Sequence, residues 1–147
     1  MKKKKHFFLI IAVSILLSAC SFLGEVNDSI DYVNQATDHI NKLNTFAEEA
    51  PQLIQSAATD LAVQKELEIK LVNLKQDIET FININDVPSI AKDIHQELVV
   101  KNEQLLDEIN QVLQNGHLVL DKLENSQIFA TLNEVTNLLN RIENLGQ

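Results

Sequence analysis

Cysteine occurs once in these 147 residues, tryptophan never, glycine three times and proline twice. A single thiol excludes a disulfide framework and a cysteine-rich zinc module. Three glycines leave no phosphate-cradling loop, and no Gly-x-Ser-x-Gly elbow is present. Aromatic residues at 5% are too few for platforms that stack bases or sugars. The apolar runs all fall short of the roughly 20 residues that a membrane-spanning helix needs. The length allows one domain, and 45% hydrophobic residues suffice for its core.

What is present starts at the N-terminus. Lys2, Lys3, Lys4 and Lys5 form a positive block, followed by an apolar run from Phe7 to Leu17. As a helix that run is only ~17 Å long, against a hydrocarbon core of ~30 Å. Positive start, short apolar stretch and small residues afterwards are the build of a secretory signal peptide. The small residues are Leu17, Ser18, Ala19 and Cys20, and Leu-Ser-Ala-Cys resembles the lipobox of bacterial lipoproteins. That resemblance implies a diacylglyceryl thioether on Cys20, carrying acyl chains of the palmitate kind, and cleavage between Ala19 and Cys20. A buried cysteine in a signal anchor, or an incidental one in a secreted protein, is the competing explanation. The lipobox is preferred because the one cysteine closes the one apolar run that follows a positive block. At ~0.8 kcal/mol per buried CH₂, two acyl chains hold a protein stably where one does not. The expected location is the outer face of the cell membrane, lipid-anchored.

Removing residues 1–19 leaves eight basic residues against 21 acidic ones, a net charge of −13. Such a chain is repelled by nucleic acid and by anionic headgroups, so neither is expected as a partner. The acids are scattered, which fits a solvated surface better than a cation-collecting patch.

The mature chain reads as helices only. Val26, Ile30, Val33, Thr37, Ile40, Asn44 and Ala47 recur at alternating spacings of 4 and 3, a helical stripe. Tyr32-Val-Asn-Gln-Ala and His39-Ile-Asn-Lys-Leu echo each other seven residues apart. Pro51 is expected to end this first helix near Glu49 and Ala50. Thr59 or Asp60 can cap the next helix, whose stripe is Leu67, Leu71, Leu74, Ile78 and Phe81. After Asp86-Val-Pro-Ser, a third stripe takes Ile90, Ile94, Leu98, Leu105, Ile109 and Val112, interrupted at Lys101 and Asn102. Asn115-Gly116 supplies a stop. Asn125 or Ser126 can cap a last helix with Ile128, Leu132, Val135, Leu139 and Ile142 inside. The expected fold is all-α: a small antiparallel bundle of about four helices over residues 25–147, joined to the lipidated Cys20 by a short tether, 20–24.

Thr37, Asn44 and Asn102 fall on otherwise apolar stripes. A polar residue there can fix helix register at a cost in stability, or it can line a ligand pocket in the bundle core; register is preferred. His39 and His95 lack a ligating partner three or four residues away, His117 follows Gly116 in a loop, and none has a Glu-x-x-His partner, so they read as surface or boundary residues and no metal is expected. Asp28/Asp31, Asp93/Glu97 and Glu103/Asp107 are carboxylate pairs at helical spacing, read as wet faces. No catalytic residue and no cofactor is indicated.

Beyond the lipobox, the chain resembles a family of small helical lipoproteins from Bacillus-type Gram-positive bacteria. The likeness lies in Cys20 to Asn27 (Cys-Ser-Phe-Leu-Gly-Glu-Val-Asn), Asp31 to Asp38, Ala91 to His95, Asn102 to Leu106 and Ile142 to Gln147. That family has no assigned function, so the resemblance implies location and fold and no activity. The expectation is a non-catalytic lipoprotein acting by contact with another envelope protein, with Phe22, Leu23 and Tyr32 as contact candidates. The alternative is a carrier of a small apolar or cationic ligand in the bundle core. Heptad-like stripes also leave room for a homo-oligomer.

Overall fold

A computed structural model describes the backbone of residues 2–146 and the side chains of residues 27–145. The lipobox residues Leu17, Ser18, Ala19 and Cys20, and with them Phe22 and Leu23, lie outside the described side chains. The helices are α1 (Lys2–Ala57), α2 (Leu61–Ile82), α3 (Lys92–Val112), α4 (Leu120–Glu124), α5 (Ile128–Thr136) and α6 (Leu139–Glu143). Short 3₁₀ turns at Ser89–Ala91 and Asn144–Gly146 lead into α3 and follow α6.

Side-chain pairs set the directions. Lys42 meets Asp77 and Lys70 meets Glu49, so α1 and α2 run antiparallel. Lys101 with Glu134, Thr131 with Glu108 and Arg141 with Glu97 turn the α5–α6 arm antiparallel to α3. The α5–α6 arm also packs on α1 and closes the bundle, which leaves α1 and α3 parallel and across its diagonal. The fold is an all-α, four-membered bundle. Its core takes Leu67, Leu71, Leu74, Ile78 and Phe81 from α2, the whole stripe expected of that helix.

Several local expectations are met and others corrected. Asp60 caps α2, its Oδ1 accepting from the amides of Ala62 at 2.8 Å and Val63 at 3.4 Å. Pro51 does not end α1, which continues to Ala57. The proline is exposed, while Ala50 and Ala57 are buried and Leu53 and Ile54 half-buried, so packing offsets the missing amide. Asn115-Gly116 does more than stop α3. With φ of 52° and 81° these residues turn a minimal hairpin, β1 (Leu113–Gln114) against β2 (His117–Leu118). Ser126 does not cap α5; its hydroxyl donates back to the Leu123 carbonyl. Ile90 is exposed because it sits in the 3₁₀ turn, before the phase of α3 is established.

The buried stripe of α1 is Tyr32, Ala36, His39, Ile40, Leu43, Phe46 and Ala50. It is rotated by about one residue, some 100°, from the stripe read in the sequence. α1 also runs through the 20–24 stretch read as a tether. Among the described residues its first buried side chain is Tyr32. Tyr32 lies twelve positions along the helix from Cys20, a rise of ~18 Å.

Candidate functional site

The rotation of α1 turns two polar side chains inward, and α3 answers both. His39 Nε2 lies 2.8 Å from Asn102 Oδ1. Asn102 Nδ2 donates to the Leu98 carbonyl at 2.8 Å, so Oδ1 is the atom facing His39 and the imidazole must present Nε2–H. One heptad earlier on both helices, the Tyr32 hydroxyl meets His95 Nδ1 at 3.2 Å. Each pair is separated by 63 residues, so α1 and α3 are held in one parallel register. Phe81 of α2 closes the layer. Its ring stacks on His39 with centroids 4.2 Å apart and planes 7° from parallel, and sits tilted against His95 at 5.6 Å.

Burial governs the protonation of this layer. Loss of solvent lowers His39 to about 4; the Asn102 bond and Asp77 work against that shift, and Lys42 adds to it. His95 is lowered and the Tyr32 phenol raised, both by burial, so all three are neutral at pH 7. With Nε2 committed to Asn102 and Phe81 over its face, His39 is closed to any substrate. Among the described residues, no three His, Cys, Asp or Glu side chains converge on a metal site.

The residues singled out in the sequence thus separate. Asn102 is fully buried and bonded on both sides, to His39 and to the Leu98 carbonyl. Thr37 is half-buried, and its Oγ1 is enclosed with no hydrogen-bond partner. Asn44 is a correction: it is exposed and donates to Glu48, because the core stripe passes through Leu43 instead. His39 is a second correction, buried where a surface or boundary position was expected. Tyr32 is a third; it is 1% exposed and offers no contact surface. His117 is exposed in the hairpin beside Glu68. The signal that marks the layer is the Tyr32/His39 echo, matched by His95 and Asn102 at the same seven-residue spacing.

Two cavities lie at the ends of the bundle. One of about 500 Å³ opens over Tyr32 at the end nearer Cys20, with Asp28, Asp31, Gln35, Asn85 and Asp86 around it. The other, about 850 Å³, lies at the far end between α3 and α4, where Gln111, Gln114, Asn125 and Gln127 supply an amide-rich wall. Neither is lined by Thr37, Asn44 or Asn102. Asp93 is exposed, Glu97 is taken by Arg141, and Glu103 and Asp107 are exposed.

Comparison with known proteins finds a lipoprotein relative and a family. The chain is 33% identical over 137 residues to the uncharacterized lipoprotein YybP of Bacillus subtilis (strain 168), covering 90% of this chain and 92% of that protein. No solved structure matches. A family model described as a family of unknown function (DUF6376) matches residues 32–145, beginning at Tyr32, the first buried side chain described on α1. The chain therefore belongs to the DUF6376 family.

Proposed function

We propose that this protein is held at the outer face of the cell membrane by a diacylglyceryl group on Cys20, after removal of residues 1–19, and works by contact with another envelope protein. The lipobox and the likeness to a named lipoprotein support the anchor. The observation that carries the contact reading is the exposure of large aliphatic side chains on a bundle that pairs His39 with Asn102 in its interior. His39, Asn102, Tyr32 and His95 are spent on one another inside the bundle. Large aliphatic side chains meanwhile face solvent: Leu61 is 82% exposed and Ile69 52%, both on α2, and Val100 on α3 is 56% exposed. Leu61 stands at the end of the bundle farthest from Cys20, where a partner can reach it.

In-cell cross-linking of the anchored protein, followed by mass spectrometry, tests this. One abundant envelope protein is expected in the wild type and lost in Cys20→Ala. Capture of no specific protein from intact cells removes the reading, and an unchanged membrane fraction for Cys20→Ala removes the anchor.

A carrier of a small cation is the second reading, favoured by the carboxylates Asp28, Asp31 and Asp86 around the cavity over Tyr32. It places the ligand at the mouth of the bundle and not in the core. Titration with an organic ammonium ion that leaves the NMR signals of Tyr32 and those three carboxylates unmoved disposes of it.

A further inference from the structure

The layer at Tyr32, His39, Phe81, His95 and Asn102 joins three helices at one end of the bundle, and both of its imidazoles touch the same phenyl ring. We infer that this layer is an acid-sensitive latch: protonation of His39 and His95 releases the α1–α3 register at the end of the bundle nearer Cys20, while the apolar far end stays closed.

Geometry makes the neutral state specific. His39 has one protonated nitrogen, and it is used; a second proton would place a charge in a space lined by Phe81 and closed to solvent. A proton on His95 as well would put like charges on the two imidazoles that share Phe81. Compensation from the surroundings is scarce. On α1, Lys42 is cationic; on α2, Asp77 is already bound to Lys42 at 2.8 Å. On α3, Glu97 is held by Arg141 of α6 and Lys101 by Glu134 of α5. Tyr32, itself neutral, offers His95 its hydroxyl and an edge-on ring contact at 5.6 Å. Asp28, Asp31 and Asp86 surround the cavity on the outer side of Tyr32, but burial, not their charge, sets the direction in which His95 is shifted. The apolar core of the other half is built from Leu43, Phe46, Leu67, Leu71, Leu105 and Ile109, none of which titrates; an enclosed carboxylate oxygen there belongs to Glu108, which is bonded to Thr131 of α5.

Linkage gives the sign. A histidine lowered in the folded state binds its proton more readily once exposed, so acid favours the open form as pH falls below the ordinary histidine value. The test is amide exchange by mass spectrometry on the full chain in detergent micelles, corrected for intrinsic exchange rates. Between pH 7.5 and 5, opening of segments 28–43 and 78–98 is expected to rise roughly twentyfold, and that of 61–74 much less. His39→Gln keeps a donor for Asn102 and should flatten this dependence, whereas His117→Gln at the exposed hairpin should leave it intact. An undiminished pH response in His39→Gln overturns the latch, as does uniform loosening of the whole bundle. NMR titration of the wild-type imidazoles decides the matter even where His39→Gln does not fold. A His39 that stays neutral well below pH 6 supports the latch, and one that titrates near 6.5 refutes it.

Discussion

Thr37 and Asn102 occupy comparable positions in the sequence and opposite ones energetically. The enclosed Thr37 hydroxyl has surrendered water and gained no bond, so it costs stability. Thr37→Val keeps the β-branched shape and removes the orphaned group; a gain of about 1 kcal/mol in urea unfolding is expected. Asn102 is bonded on both sides, to His39 and to Leu98. Asn102→Ala strands the His39 donor and opens a hole, and a loss of about 3 kcal/mol is expected by the same measurement. If the two substitutions shift the midpoint equally, the distinction drawn between an orphaned and a satisfied polar group is wrong.

Each helix owes its limits to a different mixture of local chemistry and packing. α2 is the most self-contained: a capping aspartate, an unbroken stripe and an asparagine-rich exit were all legible before folding was considered. Asp60→Ala should cost about 1 kcal/mol, because two first-turn amides lose their acceptor. Circular dichroism through thermal unfolding would show a lowered midpoint; an unchanged midpoint would mean water satisfies those amides equally well. α1 is the opposite case. Its alternating Val26, Ile30, Val33 and Ile40 are apolar enough to suggest a core face, yet Ile30 is 44% exposed and Val33 only half-buried. The true face includes Tyr32 and His39, residues whose polar tips made them look like surface. They are inside because α3 supplies a partner for each tip at the same heptad spacing.

At the scale of the molecule, the two diagonal pairs make stability depend on pH in a stated direction. Burial lowers His39 from the ordinary value near 6.5 to about 4. The stability it contributes is fully present above pH 6.5, falls as pH is lowered towards 4, and levels off below. Roughly 3 kcal/mol is involved, by the conversion of 1.36 kcal/mol per pKa unit. The gap between the urea midpoints of wild type and His39→Gln, measured from pH 7.5 to 4.5, should change only below about pH 6.5. Parallel curves would assign acid sensitivity to the carboxylates instead. The net charge of residues 20–147, −13, shrinks in magnitude as carboxylates are protonated, which makes the variant comparison necessary.

The amino-acid sequence alone determined the class of this protein. The lysine block, the short apolar run and Cys20 are local signals that need no partner in space, and helical periodicity follows from backbone geometry whatever lies opposite. Tertiary structure decided which face of α1 is the inside, and with it the fates of Thr37, Asn44, Tyr32 and His39. An apolar side chain is favoured in any core, but a histidine or tyrosine is tolerated there only where a particular neighbour completes its hydrogen bonds. That neighbour lay 63 residues away, on a helix whose register no local pattern could set.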